Sequence, residues 1–255
     1  MLTSTGDLHG NFSRFSKRRG FFSEQTNMNK KDYMLIPGDF GGVWDPEGES
    51  DYEKQNLDYL ENRSFSTLFC DGNHENHARL NSYPVEEWNG GLVHRIRPSI
   101  RHLMRGEVYT LEDGYKIFSF GGARSHDISG GVLHKDDPDY YKKLAAAIKS
   151  NLPYRTEGID IWYDLELPCE AEMENGIRNL EKHNFQVDLV LTHDCPSSIL
   201  KLLYDNNIIP NSLNEYLEEI HTRLDYKLWI FGHHHVDKKV TDKDICLYSQ
   251  IIRIH

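Results

Sequence analysis

One recurring pattern constrains this chain more than any other: a short apolar run followed by a cluster of Asp, Asn and His. It occurs five times, in Gly6-Asp7-Leu8-His9-Gly10, Gly38-Asp39, Gly72-Asn73-His74-Glu75, Thr192-His193-Asp194 and Gly232-His233-His234-His235. Each run has the composition of a β-strand, so each cluster is predicted where a strand gives way to a loop. Ligands of open α/β sheets bind at the carboxyl ends of the strands. Five distant segments are therefore predicted to meet at one place.

The donor atoms of these clusters predict a metal centre. Seven side chains can coordinate a metal, namely Asp7, His9, Asp39, Asn73, His193, His233 and His235. Oxygen and imidazole donors suit Mn, Fe, Zn, Co or Ni and do not fit a cysteine-based structural zinc site. One ion rarely binds so many protein side chains. The set therefore predicts two ions that share a carboxylate, at a separation of roughly 3.5–4 Å.

Spacing within the clusters adds a directional expectation. One residue separates Asp7 from His9, so extended backbone would put both side chains on the same side. By the same alternation, His234 is predicted to point away from the centre while its neighbours face it. Two clusters also have an interpretation that involves no metal. Asp7 could cap a following helix, and the last cluster could be a simple histidine-rich tract.

Taken in order, the motifs resemble the calcineurin-like metallophosphoesterase superfamily. Asp-x-His, Gly-Asp, Gly-Asn-His-Glu, a single His after an apolar strand, and Gly-His-x-His follow one another over residues 6 to 235. A Gly-Asp pair alone is common by chance, whereas five motifs in this order are specific. The resemblance implies an α/β fold, a four-layer α/β/β/α sandwich of two mixed sheets. We expect a single domain over residues 1–255, with a cap or specificity insertion at about 124–170.

The resemblance also implies a role for each motif residue. The first metal would be held by Asp7, His9 and His235. The second would be held by Asn73, His193 and His233, and the bridging ligand would be Asp39. His74 would be the catalytic histidine that assists the leaving group. Two divalent cations are implied, with manganese as the expected metal and iron, zinc, nickel or cobalt as alternatives.

The chain departs at one position from the relatives that resemble protein phosphatases. Many of those carry an acid three residues after the bridging Asp, where it orients the catalytic histidine, but this chain has Gly42. The departure argues against a specific protein-phosphatase assignment. Asp71 and Asp45 are the remaining candidates for orienting His74.

Two loops are predicted beside the centre. The Gly-rich loop at 121–127 carries Arg124 and His126, which we predict as substrate contacts because a guanidinium fork matches a phosphate. The loop at 41–50 carries Trp44, which either stacks on a substrate or packs on its own loop.

Periodicity gives three further expectations. Residues 11–20 are predicted as a basic helix, with Arg14 on a solvated face that has no role in the site. Residues 51–62 are predicted as a helix that buries Tyr52, Leu57 and Leu60. The β runs of residues 92–120 are predicted as an antiparallel meander on the second sheet.

Composition restricts partners and compartment. Lys and Arg number 29 against 40 Asp and Glu, a net charge of −11, so long nucleic acid is disfavoured as a partner. The four cysteines form no C-x-x-C pair, which predicts reduced thiols. No run approaches the roughly 18 apolar residues of a membrane span, and Met1–Thr5 leaves no room for a signal peptide. We expect a soluble cytoplasmic protein with no membrane partner.

The expected function is hydrolysis of a phosphoester. A hydroxide that bridges two metals would attack phosphorus while His74 protonates the leaving oxygen. The expected substrate is a phosphorylated small molecule, a dinucleotide or a phosphoprotein, and the choice between phosphatase and phosphodiesterase stays open. The alternative is a catalytically silent metal-binding interaction module, against which the complete ligand set argues.

Overall fold

The computed structural model describes residues 1–18, 20–45, 48–125, 130–150, 152, 154–157 and 165–255, without the side chains of 155–157. Short 3-10 helices lie at Phe12–Phe15 and Ser23–Asn27. The strands and α-helices in these ranges are β1 (Leu2–Thr5), β2 (Tyr33–Pro37), α1 (Asp51–Glu61), β3 (Ser66–Cys70), α2 (His77–Leu80), β4 (Val85–Trp88), β5 (Gly91–Arg97), β6 (Ile100–Leu103), β7 (Glu107–Thr110), β8 (Lys116–Phe120), β9 (Val132–His134), α3 (Tyr140–Lys149), β10 (Arg155–Glu157), α4 (Glu170–Lys182), β11 (Leu189–Thr192), α5 (Ser197–Leu203), α6 (Ser212–Arg223), β12 (Leu228–Phe231), β13 (Lys238–Lys239), β14 (Asp244–Cys246) and β15 (Ile251–Arg253).

Two mixed sheets form the centre of the fold. The first has the strand order β15-β1-β2-β3-β6-β5-β4, and the second β13-β14-β12-β11-β8-β7. Within the first sheet β1, β2, β3 and β6 run parallel, and within the second β14, β12, β11 and β8 do. Parallel strands end at the same edge, so the residues after β1, β2 and β3 are neighbours, as are those after β11 and β12.

Alternating side chains divide the interior into layers. Leu35 of the first sheet and Leu189 of the second belong to the core between the sheets. Met34, beside Leu35, packs instead with Leu57 of α1 on the outer face of the first sheet. Val190, beside Leu189, packs with residues of α5 and α6 on the outer face of the second. Both faces of both sheets are thus buried, which confirms the four-layer α/β/β/α sandwich.

The predicted helix at residues 11–20 is wrong. Among the described residues of this stretch, only Phe12–Phe15 is helical, as a single 3-10 turn capped by the Asn11 side chain, and Ser16 already has extended backbone. Phe12 and Phe15 are buried as expected. Arg14 does not face solvent, because its guanidinium turns inward to backbone carbonyls.

The prediction for residues 92–120 is correct in strand type and wrong in sheet. The hairpin strands β5 and β6 join the first sheet, where β6 pairs in parallel with β3, while β7 and β8 join the second. The period-two pattern of a strand identifies its buried faces but not its partner, so the sequence left the sheet undetermined.

Helix α1 forms where it is predicted, and the predicted burial of Leu57 and Leu60 is confirmed, but that of Tyr52 is wrong. Tyr52 is 71% exposed, whereas Glu53, Leu57 and Leu60 are buried. Glu53 can be buried because Arg79 forms an ion pair with its carboxylate at 2.5 Å.

The insertion predicted at about 124–170 contains β9, α3 and β10 among its described residues. β9 and β10 pair in parallel as a separate small sheet. Its role as a cap stays a prediction. Among the described residues, no helix has the length and apolar character needed to cross a membrane.

Candidate metal centre

The carboxyl ends of β1, β2, β3, β11 and β12 converge, and with them the seven predicted ligands. In four of them, each side chain offers one ligand atom within 4.8 Å of the others, namely Asp7, His9, Asp39 and His235. The remaining three, Asn73, His193 and His233, adjoin this group through contacts given below. Residues more than two hundred positions apart are in contact here, for example His9 and His235.

Left-handed backbone shapes these loops. The φ angles are +45° at His9, +45° at Asp39, +65° at His233 and +51° at His235. Non-glycine residues in this region cost roughly 1–3 kcal/mol each and cluster at functional sites. The side chains of Asp7 and His9 do converge as expected, but the reason given was wrong: His9 follows a turn rather than extended alternation.

Asp39 faces two groups of predicted ligands with its two oxygens. Its Oδ2 lies 3.7 Å from His9 Nε2, and its Oδ1 lies 3.3 Å from His193 Nε2. Oδ1 also accepts the backbone N–H of His74 at 2.9 Å. The Asp39 side chain is 1% exposed, so the surrounding protein determines both directions.

The second group is built around His193. Its Nε2 lies 3.2 Å from Asn73 Oδ1, and its ring lies 5.0 Å from the ring of His233. The Asn73 amide donates its own N–H to Ser125 Oγ at 3.1 Å. That bond directs the amide oxygen, the ligand atom of Asn, toward His193.

In both groups, the nitrogen and oxygen atoms that could coordinate a cation face one another. His193 Nδ1 donates to Pro37 O at 2.7 Å, so Nε2 is the ring atom that faces the oxygens of Asp39 and Asn73. In the first group the Nε2 atoms of His9 and His235 face one another at 3.1 Å. His235 Nε2 is also 3.4 Å from Asp7 Oδ2. Each of these nitrogen and oxygen atoms can bind a metal once its proton is released, so the residues fit a pair of metal ions.

Burial and mutual charge perturb these groups strongly. Burial raises the pKa of Asp7 to about 7 and lowers the pKa of His9 to about 4. Burial opposes ionisation of Asp39 and His193 too, but their mutual attraction dominates. It holds the pKa of Asp39 well below its usual range and raises the pKa of His193 to about 10. At neutral pH His9 is therefore an unprotonated imidazole, as metal binding requires, whereas His193 would have to release a proton when a metal binds.

Glu75, to which the sequence analysis assigned no role, joins two of the loops. Its buried carboxylate accepts the backbone N–H of Phe40 at 2.6 Å, of Gly41 at 3.3 Å and of Gly72 at 2.7 Å. The loops that carry Asp39 and Asn73 are thereby fixed to each other. Its place in the Gly-Asn-His-Glu motif was the available signal.

Arg14 was also missed, because its basic neighbours suggested a solvated face. Its Nη1 donates to Thr5 Oγ1 at 2.7 Å, to Gly6 O at 3.3 Å and to Tyr248 O at 2.7 Å. Its Nη2 donates to Asp7 O at 3.1 Å. Arg14 therefore holds the backbone that carries Asp7.

His74 lies at the exposed side of the centre. Its ring centroid is 5.3 Å from that of His9 and 6.2 Å from that of Trp44. The predicted orienting carboxylates have other partners: Asp71 accepts from Arg105 at 2.6 Å, and Asp45 accepts the hydroxyl of Ser50. Neither prediction for the orienting residue gains support.

Three further residues were given a predicted position or role, namely Arg124, His126 and His234. Arg124 is exposed on the loop whose next residue, Ser125, contacts Asn73. His126 lies outside the described residues. His234 points away from the centre as expected, with Nε2 at 3.2 Å from Asp194 Oδ1.

Comparison with known proteins agrees with this geometry. A family model described as calcineurin-like phosphoesterase matches residues 2–237. No curated protein gives a significant match to the chain.

Proposed function

The chain belongs to the calcineurin-like phosphoesterase family, whose members hydrolyse phosphoesters with the help of metal ions, and we propose that this protein does so with two. The observation that carries the proposal is the convergence of Asp7, His9, Asp39 and His235, whose ligand atoms lie within 4.8 Å of one another. Such a set, drawn from three strand ends and held partly in strained backbone, has no other evident purpose in the fold.

We assign the ligands as follows. The first cation would be held by Asp7, His9 and His235, the second would be held by Asn73, His193 and His233, and Asp39 would serve both. Bound there, divalent cations would neutralise phosphate oxygens and make a water molecule acidic enough to supply the nucleophile near neutral pH. The opposed directions of the two Asp39 oxygens support the shared role.

His74 is the proposed acid for the leaving oxygen. Its backbone is bonded to Asp39 and its ring adjoins His9, so a phosphoester bound at the centre lies within its reach. An imidazolium group can protonate a departing alkoxide, which contributes typically 10²- to 10⁴-fold to a rate.

The test uses phosphomonoesters, phosphodiesters, phosphopeptides and dinucleoside polyphosphates, assayed with Mn, Ni, Co, Zn and Mg. We expect hydrolysis by the wild type, a rate loss of roughly 10²-fold or more in His74→Ala, and a larger loss in Asp39→Asn together with lower metal content. The matched controls Asp242→Asn and His255→Ala change exposed side chains and should keep wild-type rates.

Wild-type turnover in both Asp39→Asn and His74→Ala would refute the assignment. Stoichiometric metal binding with no hydrolysis across the panel would instead favour the silent binding module.

We also propose a native metal, a substrate class and a cellular compartment. Manganese is the proposed native metal because mixed oxygen and imidazole donors suit it. The net charge of −11 favours phosphorylated small molecules, dinucleotides or phosphoproteins over long nucleic acid. The cytoplasm is the proposed compartment because all four cysteines are free thiols.

A further inference from the structure

We infer that the cleft beside His74 binds a nucleobase on Trp44, so that the alcohol released by the reaction is a nucleoside. The inference rests on the proposed function and extends it to the substrate class. It also decides between the two alternatives that the sequence left open for Trp44.

The cleft adjoins the candidate metal centre directly. Its volume is about 320 Å³, within the range of small-molecule sites. It is lined by His9 and His74 together with Trp44, Tyr52 and Asn56. A group bound against the tryptophan would therefore be attached to the phosphoester at the oxygen that His74 protonates.

Two aromatic side chains of the cleft are partly exposed to solvent. Trp44 is 37% exposed and Tyr52 is 71% exposed, although burying a large aromatic ring is normally favourable. The Trp44 ring is inclined by 29° to the ring of His74 at a centroid distance of 6.2 Å. A base stacked on such a ring gains roughly 1–3 kcal/mol, largely independent of its identity.

Specific side chains fix the loop that carries Trp44. Asn76 Nδ2 donates to Trp44 O at 3.5 Å and to Asp45 O at 3.3 Å. Arg79 Nη1 donates to Asp45 O at 2.8 Å, and its guanidinium is paired with Glu53. Asn76 and Arg79 follow His74 closely in the chain, so the exposed tryptophan is held at a set position relative to His74. Preorganisation of this kind lowers the entropy cost of binding.

The charge of the cleft selects among leaving groups. Its described lining residues include no lysine or arginine; the Glu53 carboxylate is neutralised by its ion pair with Arg79, and the Asp45 carboxylate adds negative charge. A second phosphate or an acidic peptide would be repelled there. A flat neutral ring is compatible, and the Asn56 amide offers both a donor and an acceptor to the edge of a base. These features favour a nucleoside over a polyphosphate or an aliphatic alcohol.

The test compares substrates that differ only in the base: adenosine 5′-monophosphate against ribose 5-phosphate, and the methyl diester of each. Stacking predicts a kcat/KM ratio of roughly 5- to 150-fold in favour of the nucleotide. Trp44→Ala should bring that ratio close to one, and Trp44→Phe should retain part of it. The control Trp88→Phe, in another part of the fold, should leave the ratio unchanged.

A binding measurement separates this inference from the proposed function. Adenosine, which carries no phosphate, should bind the protein in a calorimetric titration, and Trp44→Ala should abolish that binding. If no phosphoester is hydrolysed, the proposed function fails while the adenosine titration still decides the subsite. Equal kcat/KM values within each pair, or adenosine binding that is absent or unaffected by Trp44→Ala, would overturn the inference.

Discussion

At the scale of single residues, Arg14 connects Asp7 with His235, two of the proposed ligands of the first metal. It binds the backbone carbonyl of Asp7 and that of Tyr248. The Tyr248 ring in turn stacks on His235 at a centroid distance of 4.8 Å. One guanidinium therefore sets the relative positions of a carboxylate and an imidazole, both proposed as metal ligands, that come from opposite ends of the chain.

Arg14→Ala is expected to reduce the free energy of unfolding by about 1.5–3 kcal/mol, because it removes charged hydrogen bonds to partly buried carbonyls. It should also weaken Mn²⁺ binding. Arg18, exposed in the same segment, is the matched control, and its replacement by Ala should change stability by less than about 0.5 kcal/mol. Urea unfolding measures both variants, and equal losses would contradict the role of Arg14.

At the scale of elements, the turn after β2 depends on a glycine. Gly38 has a φ of +86°, and a Cβ at this position would overlap the ring of His193. Gly114 has nearly the same φ, +85°, but nothing lies within 4 Å of the position that its Cβ would occupy. Comparing substitutions at these two glycines therefore distinguishes the cost of backbone strain from the cost of a steric clash.

Gly114→Ala should cost about 1–2 kcal/mol of stability through backbone strain alone. Gly38→Ala should cost clearly more, because it adds a clash with a buried ring, and it should also reduce the metal content. Urea unfolding and elemental analysis of the purified variants give the comparison. Similar stability and metal content in both would show that the space beside His193 is not restricted as we describe.

At the scale of the whole molecule, the proposed centre joins the two sheets. Asp7, Asp39 and Asn73 follow strands of the first sheet, whereas His193 and His233 follow strands of the second. Two cations held by both sets would bind only the folded arrangement, so their binding free energy would add to the stability of the entire fold.

Mn²⁺ at about 100 times its dissociation constant should stabilise the wild type by about 2.7 kcal/mol. For a chain of this size that corresponds to a rise of roughly 5–10 °C in Tm. Asp39→Asn should lose most of the rise, and the exposed control Asp242→Asn should keep it. Differential scanning calorimetry with and without the metal measures it. A wild-type Tm that does not respond to Mn²⁺, or an equal rise in Asp39→Asn, would exclude a metal that bridges the sheets.

Local pattern determined most of the fold class and the identity of the site. Period-two runs predicted strands such as β2 and β12, and the polar residues directly after them predicted that seven side chains meet, because strand ends are determined by neighbouring residues. The order of the motifs predicted the family. Strand periodicity and motif residues lie within short stretches of chain, so they can be identified from one sequence.

Only the tertiary structure showed the features that depend on contacts with residues distant in sequence. The inward turn of Arg14 required carbonyls from Tyr248, and the burial of Glu53 in place of Tyr52 required Arg79. The sheet joined by β6 required β3. In each case the free energy comes from a contact between segments remote in sequence, and the local pattern is compatible with either outcome.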